Sequence, residues 1–184
     1  MTVRYPIAWV VVLTFCFFRS ASAQYHWLVL NTKPASVSRI NAATHELTGD
    51  VPLPGTPGYA LLSRSGAFLY VLLDGAFDLS GKPHNEASRL AVVDVQAMSI
   101  VTTIELGWRA HQVAMTPNGE YIVSRSAGRP QQKNSDEIPP QIVIIGTSSN
   151  RLVTKWQCPR KDVAFRERLD SVDVVNALAL PSHC

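Results

Sequence analysis

A self-similarity at a spacing of 53 residues constrains this chain more than any other feature. Sliding residues 41–71 forward by 53 places them on 94–124 without a gap. Leu47 then meets Ile100, Val51 meets Ile104, Leu53 meets Leu106, and Phe68 meets Tyr121. Ser63-Arg64-Ser65-Gly66 lands on Thr116-Pro117-Asn118-Gly119. Such repeats are supersecondary units that bury their apolar faces only against the next copy. A third, partial copy follows, with an apolar run at 142–145, a polar break at 146–150 and a second run at 152–156. Val163-Ala164-Phe165 echoes Val113-Ala114-Met115.

The unit is built of strands. Short runs rich in Val, Ile, Leu and Tyr stand at 27–31, 47–53, 59–63, 68–73, 90–95, 100–106, 112–116, 121–125, 141–145 and 152–156. No longer window sustains a helical apolar stripe. At 46% hydrophobic and 17% charged, the chain is too apolar and too weakly charged for a disordered protein. Thr116-Pro117-Asn118-Gly119 has the Pro and Gly of a type I turn, and the glycine permits a bulged hairpin into 121–125. Asp94 is placed to hold the turn at 94–99 through its own backbone. Four antiparallel strands per unit of roughly 45 to 53 residues describe a propeller blade. The expected fold class is all-β, a partial β-propeller of four-stranded blades.

The same residues carry a family resemblance. Val92-Val93-Asp94-Val95, Val101, Ile104 and Gly107 are followed by 111–119 (His-Gln-Val-Ala-Met-Thr-Pro-Asn-Gly) and Tyr121-Ile122-Val123. This cadence resembles the YVTN β-propeller repeat family. Leu69-Tyr70-Val71 matches the family's tyrosine-valine core, and Leu28-Val29-Leu30-Asn31 keeps its terminal asparagine. Arg64-Ser65 stands where the family has proline and aspartate. The resemblance covers about 25–165 and implies the fold rather than one activity, because the family hosts many.

The N-terminus reads as a secretory signal peptide over 1–23. Arg4 supplies the positive region, residues 7–18 an apolar stretch broken by Thr14, and Ala21-Ser22-Ala23 the small-x-small cleavage pattern before Gln24. Twelve helical residues rise about 18 Å, short of the roughly 30 Å of a hydrocarbon core. The expected location is secreted or periplasmic, with an uncleaved membrane anchor as the alternative because Arg19 lies close to the cut. Residues 24–165 are then the blades and 166–184 a divergent, charged C-terminal segment. Arg4 and Arg19 account for two charges of a formal net +3, so the remainder is nearly neutral and no nucleic-acid partner is implied.

Outside the leader only Cys158 and Cys184 remain. Export permits them to pair, and two unpaired thiols are the equal alternative. There is no CxxCH for haem, and His26, His45, His84, His111 and His183 are too scattered for a zinc site. No cofactor or metal is expected.

At about 50 residues per blade the chain holds roughly three, against the four to eight of a closed ring. The arc expected here leaves strands with unpaired edge groups. A shortened propeller gene, self-association of several copies through open blade edges, and an arc that survives with poorly ordered ends are the three answers to that problem.

In the blade topology the loops leading into the inner strands (54–58, 107–110, 157–162) share a face with the long loops 74–88 and 126–140. Trp108, Arg109 and His111 are the candidate ligand-binding residues on it. Trp and Arg are frequent anchors for ligands and protein partners, and a histidine hydrogen-bonds, binds metal or titrates near neutrality. Against that stands a structural role, with His111 tying neighbouring loops and Trp108 packing on a blade. Asp74, Asp78, His84, Asn85 and Glu86 lack calcium-loop spacing and read as a solvated loop. With no G-x-S-x-G, P-loop or G-x-G-x-x-G, no catalytic residue is assigned. The reading is an exported module binding a protein or small molecule on its long-loop face. The alternative is the N-terminal part of a propeller enzyme like lactonases or the large subunits of quinoprotein amine dehydrogenases.

Overall fold

Two turns set the strand spacing, and they are copies of one another. Gly66 N donates to Ser63 O at 2.9 Å, and Gly119 N to Thr116 O at 2.8 Å. Both glycines lie in the left-handed region, at φ 73° and 76°. The next bond repeats as well, from Ser63 N to Phe68 O and from Thr116 N to Tyr121 O. Each turn closes the hairpin between the first two strands of a sheet, as the Pro-Asn-Gly chemistry predicts at 116–119. Asp94 Oδ1 accepts from the amides of Gln96 and Ala97, so the expected self-held turn is present too.

The structure is a computed structural model and describes residues 25–75, 87–129 and 138–157. Among these there is no helix. The strands are β1 (His26–Thr32), β2 (Ala35–Asn41), β3 (Leu47–Pro52), β4 (Pro57–Leu62), β5 (Phe68–Leu73), β6 (Ala87–Asp94), β7 (Ser99–Trp108), β8 (Ala110–Met115), β9 (Tyr121–Ser126), β10 (Gln141–Gly146) and β11 (Arg151–Gln157). They form three antiparallel sheets in the orders β1-β2-β3, β4-β5-β6-β7 and β8-β9-β10-β11. The leader 1–23, the segment 166–184, the echo at 163–165, and Cys158 and Cys184 lie outside the described residues.

Two features differ from the sequence expectation. Strand β2 was not anticipated, because Ala35-Ser36-Val37-Ser38-Arg39-Ile40-Asn41 is mostly polar and only Val37 reads as core. The first sheet therefore carries three strands where four were expected, and its open edge is β1, which lies against β4. The sheets meet through side chains rather than backbone, so the ends of the row present sheet faces.

Period-two alternation places the core. In β5, Leu69, Val71 and Leu73 point to the first sheet and join Val37, Val51, Leu53, Ala91 and Val93. Tyr70 and Leu72 point the other way and join Leu90, Val92, Leu106, Val113, Ile122, Val143 and Ile145. Strands β5 and β6 are apolar runs because both of their faces are buried. At roughly 1.5–3 kcal/mol per fully buried large side chain, these two seams are the main cohesion between sheets. Arg39 adds a polar tie across the first seam, its Nη1 donating to the carbonyls of Val95 and Gln96. Three sheets stacked face to face in chain order give the all-β, propeller-like architecture.

Candidate functional site

Strand β7 ends and β8 begins with one residue between them. Trp108 closes β7, Ala110 opens β8, and Arg109 makes the connection at φ 52°. Gly107 before them sits at φ 92°, where a side chain would be strained. A Cβ there would also stand 2.7 Å from Gln141 Oε1 and 3.0 Å from Ser126 Oγ. A non-glycine residue held at positive φ beside such a close approach stores strain, and such strain clusters at ligand sites.

The neighbouring loop closes over this bend. Ala127 N donates to Arg109 O at 3.2 Å and Gly128 N to Trp108 O at 3.3 Å. Gly128 is itself at φ 70°, pressed on the backbone of Ile138 to Pro140. These bonds bring the loop leading into β8 and the loop after β9 to one face, the arrangement inferred from strand direction. Arg129 lays its guanidinium over the Trp108 ring, 4.8 Å from the centroid, a cation–π contact.

The second sheet has a fastening at the corresponding bend, Pro54-Gly55-Thr56. Asp74 N donates to Thr56 O at 2.9 Å, the counterpart of Ala127 N to Arg109 O at the 53-residue spacing. Asp74 is buried, at 5% exposure, and its carboxylate accepts from Thr56 N through Oδ1 and pairs with Arg89 through Oδ2. Arg89 also donates to Pro54 O. Ser88 completes the fastening, donating to Asp74 O and accepting from Ala110 N, both at 2.8 Å. Asp74 is thus a buried structural carboxylate and not part of a solvated loop, because its backbone turns at φ 50° back onto 54–56. Asp78, His84, Asn85 and Glu86 lie outside the described residues.

The third sheet lacks this fastening. Ala127 stands for Asp74. Gln141 stands for Arg89, since Ser126 pairs with Gln141 as Leu73 pairs with Arg89. Ser126 is fully buried and Gln141 is 5% exposed. Among the described residues, Ser126 Oγ, Gln141 Oε1 and Arg109 Nε are enclosed without a hydrogen-bond partner.

Of the sequence candidates, the structure brings Trp108 and Arg109 into this cluster. His111 is exposed, in the β-bulge of β8 between Ala110 and Gln112. Sequence reasoning missed Ser126, Arg129 and Gln141, which carry no motif. The available signal was the repeat itself, which sets Ala127 against Asp74. Among the described residues no three His, Cys, Asp or Glu side chains come together as a metal site.

No protein-family profile and no curated protein matches the sequence. Solved structures do match in fold. Hydrazine synthase from Kuenenia stuttgartiensis has a TM-score of 0.53 and 19% identity over 72% of this chain and 34% of its own. Dihydro-heme d1 dehydrogenase NirN, in complex with DHE, has a TM-score of 0.56 and 14% identity over 76% of this chain and 27% of its own. A functionally unknown protein from Desulfotomaculum acetoxidans DSM 771 has a TM-score of 0.51 and 13% identity, over 73% and 37%. The chain spans about a third of the length of these neighbours. At these identities the likeness concerns the fold, and the fold is propeller-like.

Proposed function

We propose that the chain is an exported module of YVTN-type propeller blades that binds a ligand on its long-loop face and performs no chemistry there. One observation carries this reading: among the described residues, the buried Ser126 Oγ and Gln141 Oε1 have no hydrogen-bond partner and lie against Gly107, next to Trp108, whose ring the Arg129 guanidinium covers. A purely structural rim satisfies its polar atoms, as the second sheet does through Asp74 and Arg89. Export rests on the leader pattern at 1–23, and among the described residues no helix is long and apolar enough to cross a membrane.

The test is an amide-resolved NMR screen of the purified protein against small molecules and short peptides. Binders should move the amides of 107–111 and 126–129 together. Binders that move only amides elsewhere, such as those of β3 or β11, would defeat the reading.

A second reading has its own support. The chain covers 34% of hydrazine synthase and 27% of NirN, so these blades fit within part of a larger propeller protein. On that reading the blades form a section of an enzyme whose reacting groups come from further blades or a partner chain. Sequencing the DNA downstream of the codon for Cys184 decides it: further blade repeats in frame favour the enzyme section, and their absence favours the module.

A further inference from the structure

We infer that the outer face of the first sheet is a dimer interface, on which a second copy of this chain seats the same face of its own first sheet. The inference goes beyond the binding reading: this face belongs to the first sheet, and the Gly107–Arg109 bend joins the second to the third.

Side-chain alternation sorts the residues of the sheet. Leu28, Leu30 and Val37 pack into the seam with the second sheet. Their strand neighbours therefore point outward, and the register sets these in rows. Trp27, Ile40 and Leu47 form one row across all three strands, and Val29, Ser38 and Asp50 form the next. Asn31, Ser36 and Pro52 form a third. Tyr25 extends the face beyond Trp27, since its carbonyl accepts from Ala42 N in step with the ladder. The face thus grades from apolar at Tyr25 to polar at Asn31.

The apolar end is open. Tyr25 is 77% exposed, Trp27 53% and Leu47 64%. Taking about 200 Å² for a whole aromatic side chain and less for an aliphatic one, Tyr25, Trp27, Val29, Ile40 and Leu47 present roughly 400 Å². A contiguous patch of that size marks an interaction site. Two copies face to face cover roughly 800 Å² of it, and the adjoining turn at 42–46 carries the contact past the roughly 1,000 Å² that a specific interface needs. The indole is also held ready. The His45 ring stacks on it at 5.6 Å between centroids and 16° between planes, with His45 fixed at φ 61°. An anchor already ordered loses little freedom on binding.

Three observations select a second copy as the occupant. The surface is an apolar sheet face, the kind through which this chain's own sheets already pack on one another in both seams. The far end of the row is different. Ile122, Val143 and Ile145 face the seam there, so Val123, Ile142 and Ile144 point outward, and these are buried within the single chain. First sheet on third is therefore the poorer match, and the contact is two-fold, the same face on both copies. The gradient suits a two-fold axis at the apolar end. The Trp27 rows then overlap, while the Asp50 rows point apart into the solvated rim. Asp50 is exposed and accepts from Ser36 and Ser38, so it needs no partner across the interface.

The test is light scattering coupled to size exclusion on the purified protein, loaded at about 200 μM and at about 1 μM. The mass should be that of two chains at the higher loading and fall towards one at the lower. Trp27→Asp and Leu47→Lys each set a charge at an open position, so the fold should be kept and the dimer weakened at least about tenfold. Leu47→Lys serves if Trp27→Asp does not fold. Val153→Asp, at an equally open position on the third sheet, should leave the dimer intact. A single chain at both loadings overturns the inference. So does a dimer that both first-sheet variants leave unchanged, or one that Val153→Asp breaks. A mass climbing past two chains with concentration overturns it too, because that growth is head-to-tail.

Discussion

The Tyr70 hydroxyl donates to Asn150 Oδ1 at 2.7 Å, a buried hydrogen bond between residues 80 apart in the chain. It joins the central strand β5 of the second sheet to the β10–β11 turn of the third, where Asn150 is held at φ 52°. The bond fixes how the two sheets slide on each other, which the apolar seam around it leaves free. Removing the hydroxyl by Tyr70→Phe leaves the Asn150 carbonyl buried and unpaired. Chemical denaturation should show a loss of about 1–3 kcal/mol.

The same tyrosine predicts an alkaline limit. Desolvation by burial raises the Tyr70 pKa above its ordinary value near 10. The unfolded chain therefore loses this proton first as the pH rises. The tyrosine's contribution is complete below about pH 10 and falls as the pH climbs from there towards the folded-state value. Tm measured across pH 8–11.5 should drop more steeply in the native protein than in Tyr70→Phe.

Gly66 isolates a backbone cost. Nothing lies within 4 Å of a Cβ built on it, yet its φ is 73°. Gly66→Ala should cost about 1–2 kcal/mol by denaturation, and Gly66→Asn clearly less, because asparagine tolerates the left-handed region. At Gly119 the added Cβ also meets the Arg64 side chain at 2.7 Å, so Gly119→Ala should cost at least as much.

Asp74 and Arg89 should behave as a coupled pair. Asp74 is buried while Arg89 is about a third exposed, so solvent screens the pair only in part. A double-mutant cycle with Asp74→Asn and Arg89→Met should give a coupling near 1 kcal/mol, measured from urea unfolding. Additive losses would mean that Asp74 is held by Thr56 N alone.

A position inside the seam between sheets two and three should be far more costly to empty than one on the outer strand of the third sheet. Leu90 is fully buried there, whereas Leu152 on β11 is half-exposed. Leu90→Ala should lose about 2–5 kcal/mol and Leu152→Ala under about 1 kcal/mol, read from equilibrium unfolding.

Much of this architecture was legible in the chain because local chemistry and global packing agree. The runs at 68–73 and 90–95, both in the middle sheet, are apolar on both faces, as a sheet between two others requires. The copied turns at Gly66 and Gly119 fixed the hairpins. Strand β2 was hidden because its far face is polar: Ser36 and Ser38 hydrogen-bond with Asn31 and Asp50, so half of its residues read as loop. The candidate site was legible at Trp108 and Arg109, which are conspicuous residue types at a bend. Ser126 and Gln141 were not, since their meaning comes from cross-strand register and from what Ala127 lacks. His111 drew notice for its chemistry, but a bulge sets it on the exposed part of β8.

The most direct test is a crystal structure of the full chain. Superposing the second sheet on the third by the 53-residue shift should bring β4–β7 onto β8–β11 strand for strand, with the bond from Asp74 N to Thr56 O falling on the bond from Ala127 N to Arg109 O. Helices over 90–125, or strands β4–β11 hydrogen-bonded in another order, would contradict the account.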